Sequence, residues 1–191
     1  MRIGVLAVQG AFAEHIAALK RLGADAFEIR NISNISEDLD GLILPGGEST
    51  VMKKLLKELG LYEPLKAKIE QGLPVLGTCA GMILLAKNID SGEAPCFGTM
   101  DITVKRNAYG RQLGSFVCTD SFAGKSITMR FIRAPYVTEA DDGVEILSEH
   151  EGKIVAVRQG NQLAAAFHPE LTNDTAVYEL FFKMIEDGTA T

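Results

Sequence analysis

The sequence predicts an α/β fold of three layers, a mostly parallel central sheet with flanking helices, plus additional antiparallel strands in the C-terminal half. Two observations predict it. Short apolar runs alternate with segments of helical periodicity as far as Lys87, and three of those runs end in glycine-containing turns. Beyond Met100 the pattern changes to β-type runs separated by turn residues.

Residues 3–8 form an apolar run suited to a strand buried on both faces, broken at Gln9-Gly10. Phe12, Ile16, Leu19 and Leu22 recur at helical spacing, and Gly23 ends that helix. Residues 26–29 and 41–44 are the next strands, the second closed by Pro45-Gly46-Gly47. From Glu48 a helix places Val51, Leu55, Leu56 and Leu59 on one face and stops at Gly60. A further helix covers 61–71 and stops at Gly72. Residues 74–77 form a fourth strand, which turns at Thr78-Cys79-Ala80 into a helix over 81–87. Residues 91–98 read as a loop. Strands are predicted over 100–105, 112–119, 126–132, 144–147, 154–157 and 163–167, with Gly143, Gly152 and Gly160-Asn161 as turns. The last helix, 175–185, turns Val177, Leu180, Phe181 and Met184 to the core. This order implies right-handed crossovers and a ligand site at the carboxyl ends of the strands. The loops at that edge are Gln9-Gly10, 45–50 and 77–81.

The 191 residues are 47% hydrophobic and 23% charged, a globular composition. That length fits a single domain, residues 1–191, which buries roughly 70% of the surface exposed on unfolding. A formal net charge of −6 disfavours nucleic acid as a partner. No apolar stretch approaches the roughly 20 residues that span a bilayer. The run over 3–8 ends without a cleavage-site pattern. Cys79, Cys96 and Cys118 are an odd set without paired spacing, which points to a reducing, cytoplasmic setting. His15, His150 and His168 lack metal-ligand spacing, so neither a metal nor another cofactor is expected.

Gly77-Thr78-Cys79-Ala80-Gly81 follows an apolar strand and opens a helix, the nucleophile-elbow pattern with Cys in place of Ser. A sharp strand-to-helix turn exposes the nucleophile, flanking glycines let the backbone crowd, and the helix start favours negative charge on sulfur. Cys96 and Cys118 lack this context and read as structural. A thiol nucleophile needs a base, and the base an orienting group. Phe167-His168-Pro169-Glu170 supplies both, because residues two apart in extended chain point to one side. His15, on the first helix, and His150, between Glu149 and Glu151, read as solvated or packed.

Pro45-Gly46-Gly47-Glu48-Ser49-Thr50 follows a strand and starts a helix, so its free N–H groups can bind an anion. No Lys precedes Ser49-Thr50 and Glu48 repels phosphate, so the phosphate-loop pattern is missing. The N–H groups of Gly47 and Ala80 are the expected oxyanion donors.

Together these segments resemble the class I glutamine amidotransferases with a Cys-His-Glu triad. Within them the resemblance narrows to the glutaminase subunits of pyridoxal 5′-phosphate synthase. It rests on residues 41–50, Gln9-Gly10 with Glu14-His15, residues 106–112, residues 131–135 and residues 167–171, and it spans residues 2–187. Ala13, Ala108 and Val51 depart from the family pattern.

The resemblance implies hydrolysis of L-glutamine to glutamate and ammonia. The ammonia is channelled to a (β/α)₈-barrel synthase subunit, in an assembly of twelve glutaminases around a synthase dodecamer. It implies Cys79, His168 and Glu170 as the triad. It implies Gly46, Gly47, Glu48 and Ser49 as the glutamine-binding loop, and Arg106, Ile132 and Arg133 as further glutamine contacts. A flip of the Gly46–Gly47 peptide on binding the synthase is a further expectation. A glutaminase feeding another ammonia-using synthase, a different cysteine hydrolase on the same sheet, and a catalytically silent binding subunit remain open from the residues alone.

Overall fold

The computed structural model describes residues 1–36, 38–106 and 114–189. Residues 107–112 of the family-like motif, Ala108 among them, lie outside the described residues, as does the start of the strand expected over 112–119.

The first half alternates strand and helix. The elements are β1 (Arg2–Leu6), α1 (Phe12–Arg21), β2 (Asp25–Ile29), β3 (Gly41–Leu44), α2 (Ser49–Glu58), α3 (Tyr62–Glu70), β4 (Val75–Thr78) and α4 (Ala80–Leu85). β3 and β4 are buried along their whole length and β1 along all but Arg2, as strands covered by helices on both faces must be. The second half holds β5 (Ala86–Ile89), β6 (Met100–Lys105), β7 (Ser115–Phe122), β8 (Lys125–Ile132), β9 (Tyr136–Ala140), β10 (Glu145–His150), β11 (Lys153–Gln159) and β12 (Gln162–Ala165). The last helix is α5 (Ala176–Thr189).

Among the described residues the main sheet has ten strands, in the order β2-β1-β3-β4-β12-β11-β9-β6-β5, with β10 paired to β11. From β2 to β12 the pairs are parallel; β11 and β9 then add antiparallel pairs. β1 leads to β2 on one side and β3 stands on its other side, so the strand order reverses between β1 and β3. That reversal opens a crevice at the carboxyl ends. The right-handed crossover rule then sends α1 and the α2–α3 connection to opposite faces. Consistent with this, Phe181 and Ile185 of α5 close over Gly41, whereas α4 closes over Leu44. β7 and β8 form a separate hairpin, and Ala123 at its turn donates a backbone hydrogen bond to Leu147 of β10. Phe116, Cys118, Asp120 and Phe122 alternate toward the body and Ser115, Val117, Thr119 and Ser121 toward solvent.

Four details of the sequence reading need correction. The helix after Cys79 ends at Leu85, and Ala86–Ile89 is a short strand parallel to β6. The apolar run through Ala86 contains no breaker, so periodicity alone continues the helix. β9 was missed, because Tyr136–Ala140 is only partly buried and its alternation is weak. Of the four residues expected on the covered face of α2, Leu56 is buried, Leu55 is partly buried and Val51 and Leu59 are exposed; Ser49 and Met52 are the other buried residues. β12 ends at Ala165, and Pro169–Leu171 is a 3₁₀ turn, so His168 and Glu170 meet through a turn rather than through extended chain.

The glycines around Cys79 have the steric role expected of them. A Cβ at Gly81 would lie 2.0 Å from the Leu44 carbonyl oxygen, and one at Gly77 would lie 2.7 Å from the Gly81 backbone. Substituting Gly81→Ala therefore forces α4 off β3. Chemical denaturation of the variant is expected to show a loss of about 1–3 kcal/mol, the usual cost of overpacking.

Candidate active site

Adjacent parallel strands β1, β3, β4 and β12 deliver their following loops to one edge in that order. The loops carry Gln9-Gly10, Gly46-Gly47, Cys79 and His168. Register holds the last two together: Thr78 pairs with Ala165, and the Cys79 N–H donates to the Ala165 carbonyl at 2.8 Å. Residues far apart in sequence thus leave the sheet side by side.

Cys79 has φ 48° and ψ −100°, a conformation that side chains with a Cβ rarely adopt. It makes the sharp bend from β4 into α4 and turns sulfur into a cavity of about 250 Å³. That cavity is lined by the expected Gly46, Gly47, Glu48, Ser49, Arg106, Ile132 and Arg133, together with Cys79 and His168. Gln9, Ile83 and Pro135 complete much of the wall. Ala80 is buried behind Cys79 and is not part of the lining. It opens α4, so its N–H belongs to the first helical turn, which has no in-helix acceptor.

The His168 N–H is anchored on the Arg130 carbonyl of β8 at 2.8 Å. Its Nδ1 lies 2.6 Å from Glu170 Oε1, and its ring lines the same cavity as the Cys79 side chain. Gly46 leaves room for that ring, since a Cβ there would sit 2.4 Å from His168 Cε1. The Cys79 thiol also lies 3.9 Å from the Ile132 carbonyl. Burial alone would lower the His168 pKa, but the hydrogen bonds and charges of Cys79 and Glu170 outweigh it and push it up to about 10. Glu170 is itself buried, which would raise its pKa. His15 beside it and the His168 hydrogen bond hold it below the ordinary carboxylate value instead.

The glycine loop is braced from β1. Gln9 Oε1 accepts the Glu48 N–H at 2.8 Å, and the Gly46 carbonyl accepts the Ala11 N–H at 3.0 Å. In a trans peptide N–H and C=O point opposite ways, so the Gly47 N–H faces away from Ala11, and a flip of this peptide would break the Ala11 bond. Gly10 must be glycine here: its φ is +97°, and a Cβ would lie 1.8 Å from the Gly46 oxygen.

Both arginines stand beside protein carboxylates. Arg106 Nη1 contacts the two Glu93 oxygens at 2.9 Å, and Arg133 Nη2 lies 4.0 Å from Glu48 Oε1. A guanidinium carries five N–H donors, so Arg106 keeps donors to offer after pairing with Glu93.

The other thiols lie elsewhere. Burial pushes Cys96 up to about 11. Cys118 faces His150 Nδ1 at 3.7 Å, and His150 bonds Asp120 and stacks on Phe116 and Phe131. Sequence reasoning left His15 undecided between solvated and packed. It is fully buried and adjoins Glu170, Thr78 and Tyr178.

The profile of the SNO glutamine amidotransferase family matches residues 5–187. The chain belongs to this family. Among curated relatives, the pyridoxal 5′-phosphate synthase subunit PdxT of Methanocorpusculum labreanum is 61% identical over 186 residues, 97% of this chain and 98% of the relative. The subunit of the same name from Desulfitobacterium hafniense is 53% identical, over 98% of this chain and 95% of the relative. A crystal structure described as a glutamine amidotransferase superposes with a TM-score of 0.91 at 43% identity, covering 97% of this chain and all of that one. The structure of PurLQS from Thermotoga maritima includes a chain with TM-score 0.68 at 15% identity, covering 98% of each, which shows a shared fold. The parallel sheet and its antiparallel extension are thus a fold that this family shares with more distant proteins.

The raised His168 pKa has a consequence for stability. Protonated His168 stabilises the folded family member fully below the ordinary value of 6.5, and that contribution is lost as pH rises toward about 10. Denaturant unfolding of the wild type and of His168→Gln across that interval is expected to show their stability difference shrinking with rising pH.

Proposed function

We propose that this glutamine amidotransferase is the glutaminase subunit of a pyridoxal 5′-phosphate synthase, with residues 1–191 acting as one domain and Cys79, His168 and Glu170 carrying the hydrolysis. The observation that carries the reading is that Cys79 and His168 line one cavity, with Glu170 hydrogen-bonded to His168 behind it at 2.6 Å. The names of the relatives support the choice of synthase.

Glutamine enters with its side-chain amide toward Cys79. Arg106 and Arg133 attract the α-carboxylate and Glu48 the α-ammonium, a charge pattern that suits a free amino acid better than a neutral ester. Sulfur attacks the amide carbon, and the N–H groups of Gly47 and Ala80 receive the developing oxyanion. His168 gives its proton to the departing nitrogen, ammonia leaves, and a thioester remains. His168 then takes a proton from water, hydroxide attacks the thioester carbonyl, and glutamate leaves with the thiol restored. Glu170 keeps the imidazole oriented and supports its positive form. Ammonia passes to the synthase subunit as partner.

Three free thiols suit a reducing, cytoplasmic setting. Among the described residues no helix is long and apolar enough to cross a membrane.

Replacing Cys79→Ala is expected to remove glutamine hydrolysis by several orders of magnitude while circular dichroism and unfolding stay near wild type. Full ammonia release by that variant contradicts the assignment. Co-purification with the synthase subunit, followed by an assay for glutamine-dependent pyridoxal phosphate, tests the partner. A glutaminase that neither binds that subunit nor supports this product feeds another enzyme.

A further inference from the structure

His15 is fully buried on α1 and belongs to no step of the proposed reaction. Its Nδ1 lies 2.9 Å from the Tyr178 hydroxyl of α5. Its Nε2 lies 3.0 Å from Thr78 Oγ1, next to Cys79, and 3.4 Å from Glu170 Oε2. Glu170 Oε1 is occupied by His168, whereas Oε2 is a buried oxygen with no hydrogen-bond partner of its own among the described residues. A buried carboxylate oxygen without a donor is costly, so what faces it decides whether the carboxylate stays charged and in place.

The distances select one tautomer. With the proton on Nδ1, the Nε2 lone pair would point at Thr78 and at an anionic oxygen 3.4 Å away in a site without water screening. With the proton on Nε2, the Tyr178 O–H donates to Nδ1, and the Nε2–H lies between Thr78 Oγ1 and Glu170 Oε2. We propose that His15 is a positioning residue for the triad: its uncharged imidazole, fixed by Tyr178, turns the Nε2–H toward Glu170 and holds the carboxylate that aligns His168. The inference rests on the proposed triad and extends it inward by two residues.

Burial, the largest influence on His15, lowers its pKa, with Glu170 opposing, so the ring stays neutral at pH 7. Burial also raises that of Tyr178, which keeps its proton. The titratable and charged groups facing this cluster are Glu14 and Arg21 from α1, Tyr178 from α5, and His168 and Cys79 across Glu170. Neither His15 nor Tyr178 lines the substrate cavity.

Losing the His15 donor loosens Glu170 and weakens its hold on the His168 imidazolium, so His168 should release its proton at lower pH. The chain has only three histidines, which makes nitrogen-15 NMR of the imidazoles practical on the full protein. Wild-type His15 is expected as the neutral Nε2–H tautomer. In His15→Phe the His168 titration should move to lower pH, and in Tyr178→Phe it should move the same way by less. With the synthase subunit present, kcat for glutamine hydrolysis in His15→Phe should fall by about 10- to 100-fold, the scale of a misplaced catalytic group, with KM unchanged. His15→Gln, which keeps an N–H donor, should recover much of both. A role in packing alone would lower stability without moving the His168 titration.

An Nδ1–H tautomer for His15, or an unmoved His168 titration with unchanged kcat in the variants, overturns the proposal. If His15→Phe does not fold, the smaller change in Tyr178→Phe decides by the same readouts. The wild type separates the two possible failures. Absent glutamine hydrolysis contradicts the triad, whereas normal hydrolysis with unaltered variants contradicts only the role of His15.

Discussion

The bend at Cys79 is the constraint on which the rest of the site depends. A residue with a Cβ is held at φ 48° between a strand and a helix, and it stays there because the surroundings leave no alternative. Its N–H is tied to β12, and the glycines on either side let α4 press against the end of β3. Relaxing that bend would swing the sulfur away from His168. The same close approach of α4 to β3 sets the Pro45–Glu48 loop beside the thiol, so Cys79 and the glycine loop are positioned by one packing contact.

A second feature is how a carboxylate survives inside the protein with no lysine or arginine against it among the described residues. Glu170 is 6% exposed and sits in the 3₁₀ turn after His168. Its desolvation is offset on one side by the His168 imidazolium and on the other by the edge of His15. This arrangement draws on separate parts of the chain: α1 gives His15, and β4 and α5 give the Thr78 and Tyr178 that bond His15. The two helices that pack on one face of the sheet thereby also support the proposed triad at its edge.

Much of this was legible in the sequence because the chemistry is local there. The elbow is written in five consecutive residues around Cys79, the base and its orienting group in the three residues from His168, and the parallel sheet in the alternation of buried runs with glycine stops. What was not legible depends on long-range contacts. The meeting of His168 with Glu170 was expected for the wrong reason, since a proline-led turn rather than extended chain brings them together. Val51, Leu55, Leu56 and Leu59 fit a helical stripe, yet of these four only Leu56 is buried, together with Met52, because contact with neighbouring elements decides which face is covered. β5 and β9 owe their strand state to pairing with β6, a partner distant in sequence for β9. His15 is legible as part of the Glu14-His15 motif, but what it touches is not, because its partners stand 63, 155 and 163 positions away.

The pairing of Cys79 with His168 is tested most directly by covalent labelling. Incubation of the protein, with its synthase partner, with a thiol-reactive glutamine analogue should modify Cys79 and leave Cys96 and Cys118 untouched, as read by peptide mass spectrometry. The same treatment of His168→Ala should leave Cys79 largely unmodified. Labelling spread evenly over the three thiols, or labelling of Cys79 that proceeds unchanged without His168, would contradict the account.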